Sequence, residues 1–216
     1  MLFKKSLIRI LLLASVSAQL LAHPHTWINL QSTFVLNEKF ELTEIKQQWQ
    51  FDEYYSAMFI SDMLNEYGAD RDLAFALAGE NMVDSLLDYQ YFSSLSVDQA
   101  GISIGQPSEY KLFSVVIDGA DILTMTMTFS VSLKPNIKLS NIEWSVYDPT
   151  YYVAMEHNEL ANLVIQNGEK SGCVPKMNRP EPSEETIAYA SSLDKTQTET
   201  QGLGVLFAET VRFGCL

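Results

Sequence analysis

Residues 123–133 read LTMTMTFSVSL, and they carry the clearest structural pattern in this chain of 216 residues. Apolar side chains alternate with threonine and serine along the whole stretch. A period of two predicts a β-strand that has one face in the core and a polar opposite face. Met125 and Met127 share the apolar face with leucine, phenylalanine and valine, so we interpret them as core residues rather than copper ligands.

The strand pattern extends to both sides of this stretch. Asp118-Gly119 is a hairpin turn signal, and it follows a predicted strand over residues 110–117. An earlier hairpin is predicted from strands over 27–36 and 40–51, which are separated by the turn residues 37–39. Later strands are predicted over 137–147 and 152–157, and residues 158–166 fit either a strand or a short helix.

Residues 52–91 have the spacing of two helices. Asp52 is a predicted N-cap and Glu53 lies in the first turn. Gly68 ends the first helix, and Asp70 or Asp72 begins the second. The apolar stripes recur at helical spacing and are formed by Tyr55, Phe59, Met63 and Tyr67, and then by Leu73, Leu77, Val83, Leu87 and Tyr91.

The C-terminal part contains both cysteines. Residues 168–183 resemble a loop, 183–193 a short helix and 205–213 a final amphipathic helix. In an oxidising compartment Cys173 and Cys215 form a disulfide, which closes a loop of roughly 43 residues and contributes about 4 kcal/mol in the chain-entropy model. The alternative is a pair of thiolate metal ligands, although no CxxC spacing is present.

These patterns predict the α+β class: antiparallel strands with a helical insert and a disulfide-tethered C-terminal segment. We expect a signal peptide over residues 1–22 and one exported domain over 23–216. The domain divides into a hairpin (23–51), the helical insert (52–92), antiparallel strands (108–166) and a loop with C-terminal helices (167–216).

The N-terminal residues predict export. Lys4, Lys5 and Arg9 precede a short apolar run that is too short to cross a bilayer. Cleavage after Ala18 or after Ala22 fits the small-residue rule, and we favour Ala22. We therefore expect a periplasmic or secreted protein whose mature form is not inserted in a membrane.

The charge balance limits the partners. The formal net charge is −13, and removal of the leader leaves 11 cationic against 27 acidic side chains. This charge argues against binding to nucleic acid or to an anionic membrane surface. It is suited to the attraction of cations, or it simply keeps an exported protein soluble.

The tripeptide His23-Pro24-His25 is the strongest candidate for chemistry. Proline favours extended backbone at His23, and extended residues two apart point to the same side. Neutral imidazoles bind Zn²⁺, Cu²⁺, Ni²⁺ and Co²⁺ well, and cleavage after Ala22 adds a terminal amine. The alternative is a disordered mature terminus without a ligand.

Further ligands must come from other segments. His157 is the remaining histidine in the sequence, and it is the third predicted nitrogen donor. Weaker candidates are the carboxylates Asp52, Glu53, Asp148 and Glu156. Each has an ordinary alternative, because Asp52 is a helix cap, Asp148 is a turn residue before proline, and His157 can be a surface residue at a strand end.

Enzyme motifs are missing from the sequence. It has no GxSxG elbow, no HExxH and no glycine-rich phosphate loop. A metal-activated water at the histidines is the one mechanism that remains, so catalysis is uncertain and we favour a role without it.

Four segments resemble the bacterial family catalogued as domain of unknown function one thousand and seven. They are AHPH at 22–25, WQFDEYYS at 49–56, YDPTYY at 147–152 and LFAE at 206–209 before Cys215. Members are labelled periplasmic components of an ABC-type transport system and occur beside nickel/cobalt-type permeases or under zinc control. The resemblance implies transition-metal handling, with His23 and His25 as the main candidates and Asp52, Glu53 and Asp148 as weaker ones.

We therefore expect a periplasmic accessory protein that binds a divalent transition metal, with Zn²⁺ favoured over Ni²⁺, Co²⁺ or Cu²⁺, for an inner-membrane permease. One alternative is a metalloenzyme that uses the same histidines. Another is an envelope interaction module whose partner surface is formed by the aromatic residues Trp49, Tyr54, Tyr55, Tyr151 and Tyr152.

Overall fold

The computed structural model describes residues 24–134, 137–193 and 202–215. These residues form strands and α-helices, each numbered in chain order: β1 (Thr26–Leu36), β2 (Leu42–Phe51), α1 (Glu53–Tyr67), α2 (Arg71–Leu86), β3 (Ser93–Val97), β4 (Ala100–Ile102), β5 (Glu109–Ile117), β6 (Ala120–Ser130), β7 (Ile142–Val146), β8 (Val153–Glu156), β9 (Leu163–Gln166), β10 (Cys173–Asn178), α3 (Glu184–Ser192) and β11 (Thr210–Cys215). The predicted α+β class is confirmed.

The strands form two sheets. The first sheet has the order β5-β6-β2-β1-β8, and β9 also pairs with β1. Its pairs are antiparallel except for β8 and β9, which run parallel to β1. The second sheet has the order β10-β11-β7-β3-β4, and all of its pairs are antiparallel.

The inner faces of the two sheets pack against each other. Every second residue of β1 from Thr26 to Leu36 is buried. The ring centroid of Phe34 lies 6.5 Å from that of Trp144 on β7 and 4.8 Å from that of Phe213 on β11. Large aromatic side chains remove about 150–250 Å² each from water, so these contacts join the sheets mainly through apolar burial.

The alternating strand LTMTMTFSVSL has the predicted orientation. Its apolar residues up to Phe129 are buried in β6, whereas Thr126 and Thr128 are partly exposed. Ile117 pairs with Ala120 across the predicted turn, and both turn residues have positive φ. Such φ values are those of a two-residue type I′ hairpin, for which Asp-Gly is a favoured sequence.

The two helices of the insert cover the remaining part of the first sheet, where α1 contacts β6 and α2 contacts β5. The Asp52 side chain accepts the Tyr55 N–H, and Asp70 accepts the Leu73 N–H, so both predicted caps are confirmed. Gly79 lets α2 approach β5 closely, since a Cβ there would lie 3.1 Å from Leu112 Cβ. No helix among the described residues has the length and apolar character needed to cross a membrane.

Three expectations about local structure were wrong. The predicted final helix over 205–213 is a short 3₁₀ turn followed by β11, whose Val211 and Phe213 are buried while Arg212 is exposed. The predicted loop over 168–183 contains β10, which pairs with β11. The predicted helix up to Tyr91 ends at Leu86, and the chain then turns through positive φ at residues 90–92 before β3 begins.

The disulfide between Cys173 and Cys215 is present and joins the outer ends of β10 and β11. Its two residues are 42 positions apart in the sequence and are direct partners in the strand register. The predicted tether of the C-terminal segment is therefore confirmed.

Replacing both cysteines by serine should lower the free energy of unfolding by about 4 kcal/mol, because the bridge restricts the unfolded chain. Urea titration followed by tryptophan fluorescence measures this change, and the wild-type protein in reductant should match the double variant. Equal urea midpoints for the oxidised wild type and the double variant would contradict the expected contribution.

Candidate functional site

His25 lies immediately before β1 at one end of the first sheet. Its backbone N–H donates to the Tyr152 carbonyl at 2.9 Å, and the two ring centroids are 4.6 Å apart. The residue is half-buried. This hydrogen bond extends the parallel β1–β8 pairing by one step, so the backbone of His25 is held in place by the sheet.

Asp52 lies beside the start of β1. Its Oδ1 accepts the Tyr55 N–H at 2.8 Å, and its Oδ2 accepts the Trp27 N–H at 2.9 Å. The Asp52 N–H in turn donates to the Trp27 carbonyl at 2.9 Å. One carboxylate therefore caps α1 and holds β1 two residues from His25, while each of its oxygens keeps a further lone pair.

Tyr55 lies at the same end of the molecule. Burial is the main cause that raises the pKa of its hydroxyl, and the negative charge of Asp52 and the nearby Tyr152 raise it further. Its ring stacks on Phe51 at a centroid distance of 5.0 Å. His25, Asp52, Tyr55 and Tyr152 thus form one cluster, which we call the N-terminal cluster.

Asp148 is buried in the loop between β7 and β8 and is satisfied within that loop. Its carboxylate accepts hydrogen bonds from the backbone and hydroxyl of Thr150 and from the Val153 N–H at 3.0 Å. This is a turn arrangement typical of aspartate before proline. The structure supports the turn alternative for Asp148, and the carboxylate serves to shape the loop.

The same loop contacts the C-terminal segment. The Gly204 N–H donates to the Pro149 carbonyl at 3.0 Å, and Tyr151 stacks on Phe207 at a centroid distance of 3.8 Å. A Cβ on Gly204 would lie 1.8 Å from the Asp148 carbonyl oxygen. Only a residue without a side chain permits this approach.

His157 is buried and bonded through both ring nitrogens. Nε2 lies 2.8 Å from Ser32 Oγ, and Nδ1 lies 2.9 Å from Glu209 Oε2. Gln47 donates to Ser32 Oγ at 2.7 Å, and Arg179 Nε donates to Glu209 Oε1 at 2.8 Å. These five residues form a chain of hydrogen bonds from the first sheet to the C-terminal segment, which we call the buried polar chain.

The direction of these bonds follows from the chemistry of the groups. An ionised carboxylate only accepts hydrogen bonds, so Nδ1 of His157 carries a proton. Ser32 Oγ accepts a hydrogen bond from Gln47 Nε2 and shares a second hydrogen bond with Nε2 of His157. The serine, histidine and glutamate have the connectivity of a hydrolytic triad, but Ser32 is fully buried and no substrate can reach its oxygen.

His157, the third predicted nitrogen donor, does not lie in the N-terminal cluster. His25 lies beside Tyr152, and His157 follows Tyr152 by five residues. At about 3.3 Å per residue of strand, this separation is roughly 16 Å. The ring nitrogens of His157 are bonded to Ser32 and Glu209. The surface alternative for His157 is wrong, since the side chain is 1% exposed.

The remaining predicted ligands are distributed as follows. His23 lies outside the described residues. Glu53 and Glu156 are exposed on the surface. Within the parts of the chain that the structure describes, no three histidine, cysteine, aspartate or glutamate side chains lie close enough together to hold a metal ion.

Comparison with known proteins identifies the family. The model of the family described as "Protein of unknown function (DUF1007)" matches residues 8–215. The chain belongs to this family. It is also 32% identical over 204 residues to a Haemophilus influenzae protein described as uncharacterized, and the match covers 93% of this chain and 94% of that protein. No solved structure matches.

The described residues of the four segments that carried the resemblance lie near one another in the DUF1007 fold. His25 contacts Tyr152, and Trp27 contacts Asp52. The loop around Pro149 contacts Gly204, and His157 contacts Glu209. Residues that are far apart in the sequence thus form one continuous region, which comprises the N-terminal cluster and the buried polar chain.

Sequence reasoning missed the buried polar chain, although a signal was present. Ser32 and Gln47 occupy inward positions of alternating strands, where neighbouring residues are apolar. A buried polar side chain needs a partner, so these two positions indicated an interior hydrogen-bond network. Glu209 and Arg179 carried no comparable signal, because β10 and β11 were not recognised.

Glu209 links stability to pH. Burial alone would raise the pKa of this carboxyl, but hydrogen bonds from His157 and Arg179 outweigh burial and lower it below the ordinary glutamate value. A lowered pKa in the folded state stabilises the fold above the unfolded-state pKa of about 4.3. This contribution is lost as the pH falls through the folded-state pKa.

Glu209→Gln should therefore lower the free energy of unfolding by about 2–3 kcal/mol at neutral pH, since it leaves Arg179 and His157 without a charged acceptor. The loss should shrink below pH 4. Urea titrations at a series of pH values measure both effects, and exposed Glu181→Gln is the matched control. Equal pH dependence in the wild type and Glu209→Gln would contradict the role of the buried carboxylate.

Gly204→Ala should destabilise the protein by about 1–3 kcal/mol, because the added methyl group displaces the Asp148 backbone. Gly105→Ala is the control, since a Cβ there meets nothing within 4 Å. Thermal unfolding followed by circular dichroism compares the two variants. Equal melting temperatures would show that the loop around Asp148 adjusts at little cost.

Proposed function

We propose that this DUF1007 protein is an exported accessory protein that binds a divalent transition metal, most readily Zn²⁺, and passes it to a membrane permease. The metal is cargo, and its ligands are the imidazoles of His23 and His25 with a carboxylate from Asp52 or Glu53. The observation that supports this proposal most is the position of His25, which the sheet holds two residues from the strand contact of Asp52.

The donor types favour a borderline metal. Imidazole nitrogen suits Zn²⁺, Cu²⁺, Ni²⁺ and Co²⁺, and a carboxylate oxygen completes a set that Zn²⁺ accepts readily. Asp52 can supply the carboxylate oxygen, because its oxygens retain lone pairs after they cap α1. The negative charge of the protein raises the local concentration of any cation near this end.

The proposed metal site does not include His157, which limits the number of its ligands. Without a third imidazole, the side-chain donors are two imidazole nitrogens and one carboxylate, from Asp52 or Glu53. A set of this size binds less tightly than a closed structural site with four protein ligands. It leaves positions for a ligand of an acceptor, which is the property that a protein needs in order to hand its metal to a permease.

The two alternative functions have less support than metal transfer. The metalloenzyme hypothesis uses the same histidines with a third protein ligand and a bound water, and His157, one candidate for that ligand, belongs to the buried polar chain. The interaction-module hypothesis relied on five aromatic residues, of which Trp49 is buried and Tyr55 and Tyr151 are half-buried. Tyr54 and Tyr152 remain exposed, which is a small surface for a partner.

The proposal is tested by calorimetric titration of the mature protein with Zn²⁺, Ni²⁺ and Co²⁺. We expect one site, and His23→Ala combined with His25→Ala should weaken Zn²⁺ binding at least tenfold. Asp52→Asn keeps a good helix cap and removes the charge, so it should weaken binding less while the fold stays intact. Intact mass of the secreted protein establishes which residue is the mature N-terminus.

Asn178→Ala is the matched control, because it changes an exposed side chain on β10 of the second sheet. Unchanged Zn²⁺ stoichiometry and affinity in the double histidine variant would refute the proposal.

A further inference from the structure

A second cation site is suggested by a cleft between α1 and α2, which we call the methionine cleft. It has a volume of about 310 Å³ and is lined by Met58 and Met63 from α1 and Met82 from α2. Asp62 and Glu66 also line it, and no lysine or arginine does. Tyr55 of the N-terminal cluster also lines the cleft, so the two adjoin each other, but none of the metal ligands proposed above lines it.

The exposure of these methionines is unequal. Met63 is 3% exposed and forms part of the core, and Met82 is partly buried against the core. Met58 is 46% exposed at the rim. Burial therefore stabilises Met63 strongly and Met58 little, although both residues line the cleft.

The surroundings of the cleft are anionic. Within α1 and α2 there are six acidic residues and one basic residue, Arg71. Met58 and Asp62 are four residues apart and therefore lie on the same helix face. A cation in the cleft would be attracted by these carboxylates, and methionine side chains from both helices line it.

We infer that the methionine cleft binds a soft monovalent metal ion, Cu⁺, through the thioethers of Met58, Met82 and Met63. Thioether sulfur is a soft donor that selects Cu⁺ over Zn²⁺, Ni²⁺ and Co²⁺. The flexible methionine side chain reaches an ion without movement of the helices. The site uses neither His23 nor His25 as a ligand. It extends the proposed function to Cu⁺, a metal that those histidines do not select.

The chemistry of the cleft lining favours a cation. A volume of about 310 Å³ is at the lower end of the range for an organic ligand, so the thioethers and carboxylates point to a cation and the size does not. A bound helix would need a longer apolar groove, with anchors at successive turns of the helix. The occupant that we propose is therefore the ion itself, and a basic helical peptide is an outcome that the experiment can reveal.

The experiment uses the full mature protein and Ag⁺, a soft monovalent ion that does not change its oxidation state under these conditions. Calorimetric titration should show an Ag⁺ site that is weakened at least tenfold by Met58→Leu combined with Met82→Leu. Leucine has a similar volume to methionine, so the variant should fold. Met177→Leu, on β10 and outside the cleft, is the matched control.

A second measurement does not depend on variants. The methyl resonances of ¹³C-labelled methionine should shift on addition of Ag⁺ for Met58, Met63 and Met82, and not for Met125 or Met127 in the core. Competition with a chromophoric Cu⁺ chelator under anaerobic conditions extends the test to copper.

The results separate this inference from the proposed function. The double histidine variant should lose Zn²⁺ and keep Ag⁺ at the cleft, whereas the double methionine variant should do the reverse. Ag⁺ binding that is the same in the wild type and the double methionine variant would overturn the inference. So would methionine shifts that appear only with a basic helical peptide.

Discussion

The contact between His157 and Glu209 connects the two sheets of this structure. The histidine follows β8 in the first sheet, and the glutamate precedes β11 in the second. Ser32 and Gln47 continue the chain of hydrogen bonds into the centre of the first sheet, and Arg179 continues it to the end of β10. A buried carboxylate is stable here because each of its oxygens is paired, so both sheets must be in place before the interaction can form.

The hydrogen bonds within the fold distinguish polar residues that stabilise the structure from the candidate ligands. Asp148 and His157 are fully used by the fold, and the C-terminal segment closes over both of them. His25 and Asp52 lie at the end of the sheet, where backbone contacts position them and both residues are partly buried. The candidate metal site is therefore placed by the sheet and does not form part of its core.

Much of the fold could be predicted from local pattern. The alternation in β6, the Asp118-Gly119 turn and the Asp52 cap each report on contacts within a few residues. β10 and β11 could not be predicted in this way, because each is short and becomes regular only through pairing with the other. The role of His157 depends on Glu209, which is 52 residues away, and no spacing rule relates the two positions.

The position of β1 has a consequence for how the chain acquires its structure. This first strand lies inside its sheet, between β2 and the parallel strands β8 and β9, whose residues come more than a hundred positions later. Contacts between such distant residues slow folding, because the entropy cost of closing a long loop comes before the contacts stabilise the chain. A nascent chain therefore cannot complete this sheet until residues 153–166 have been synthesised.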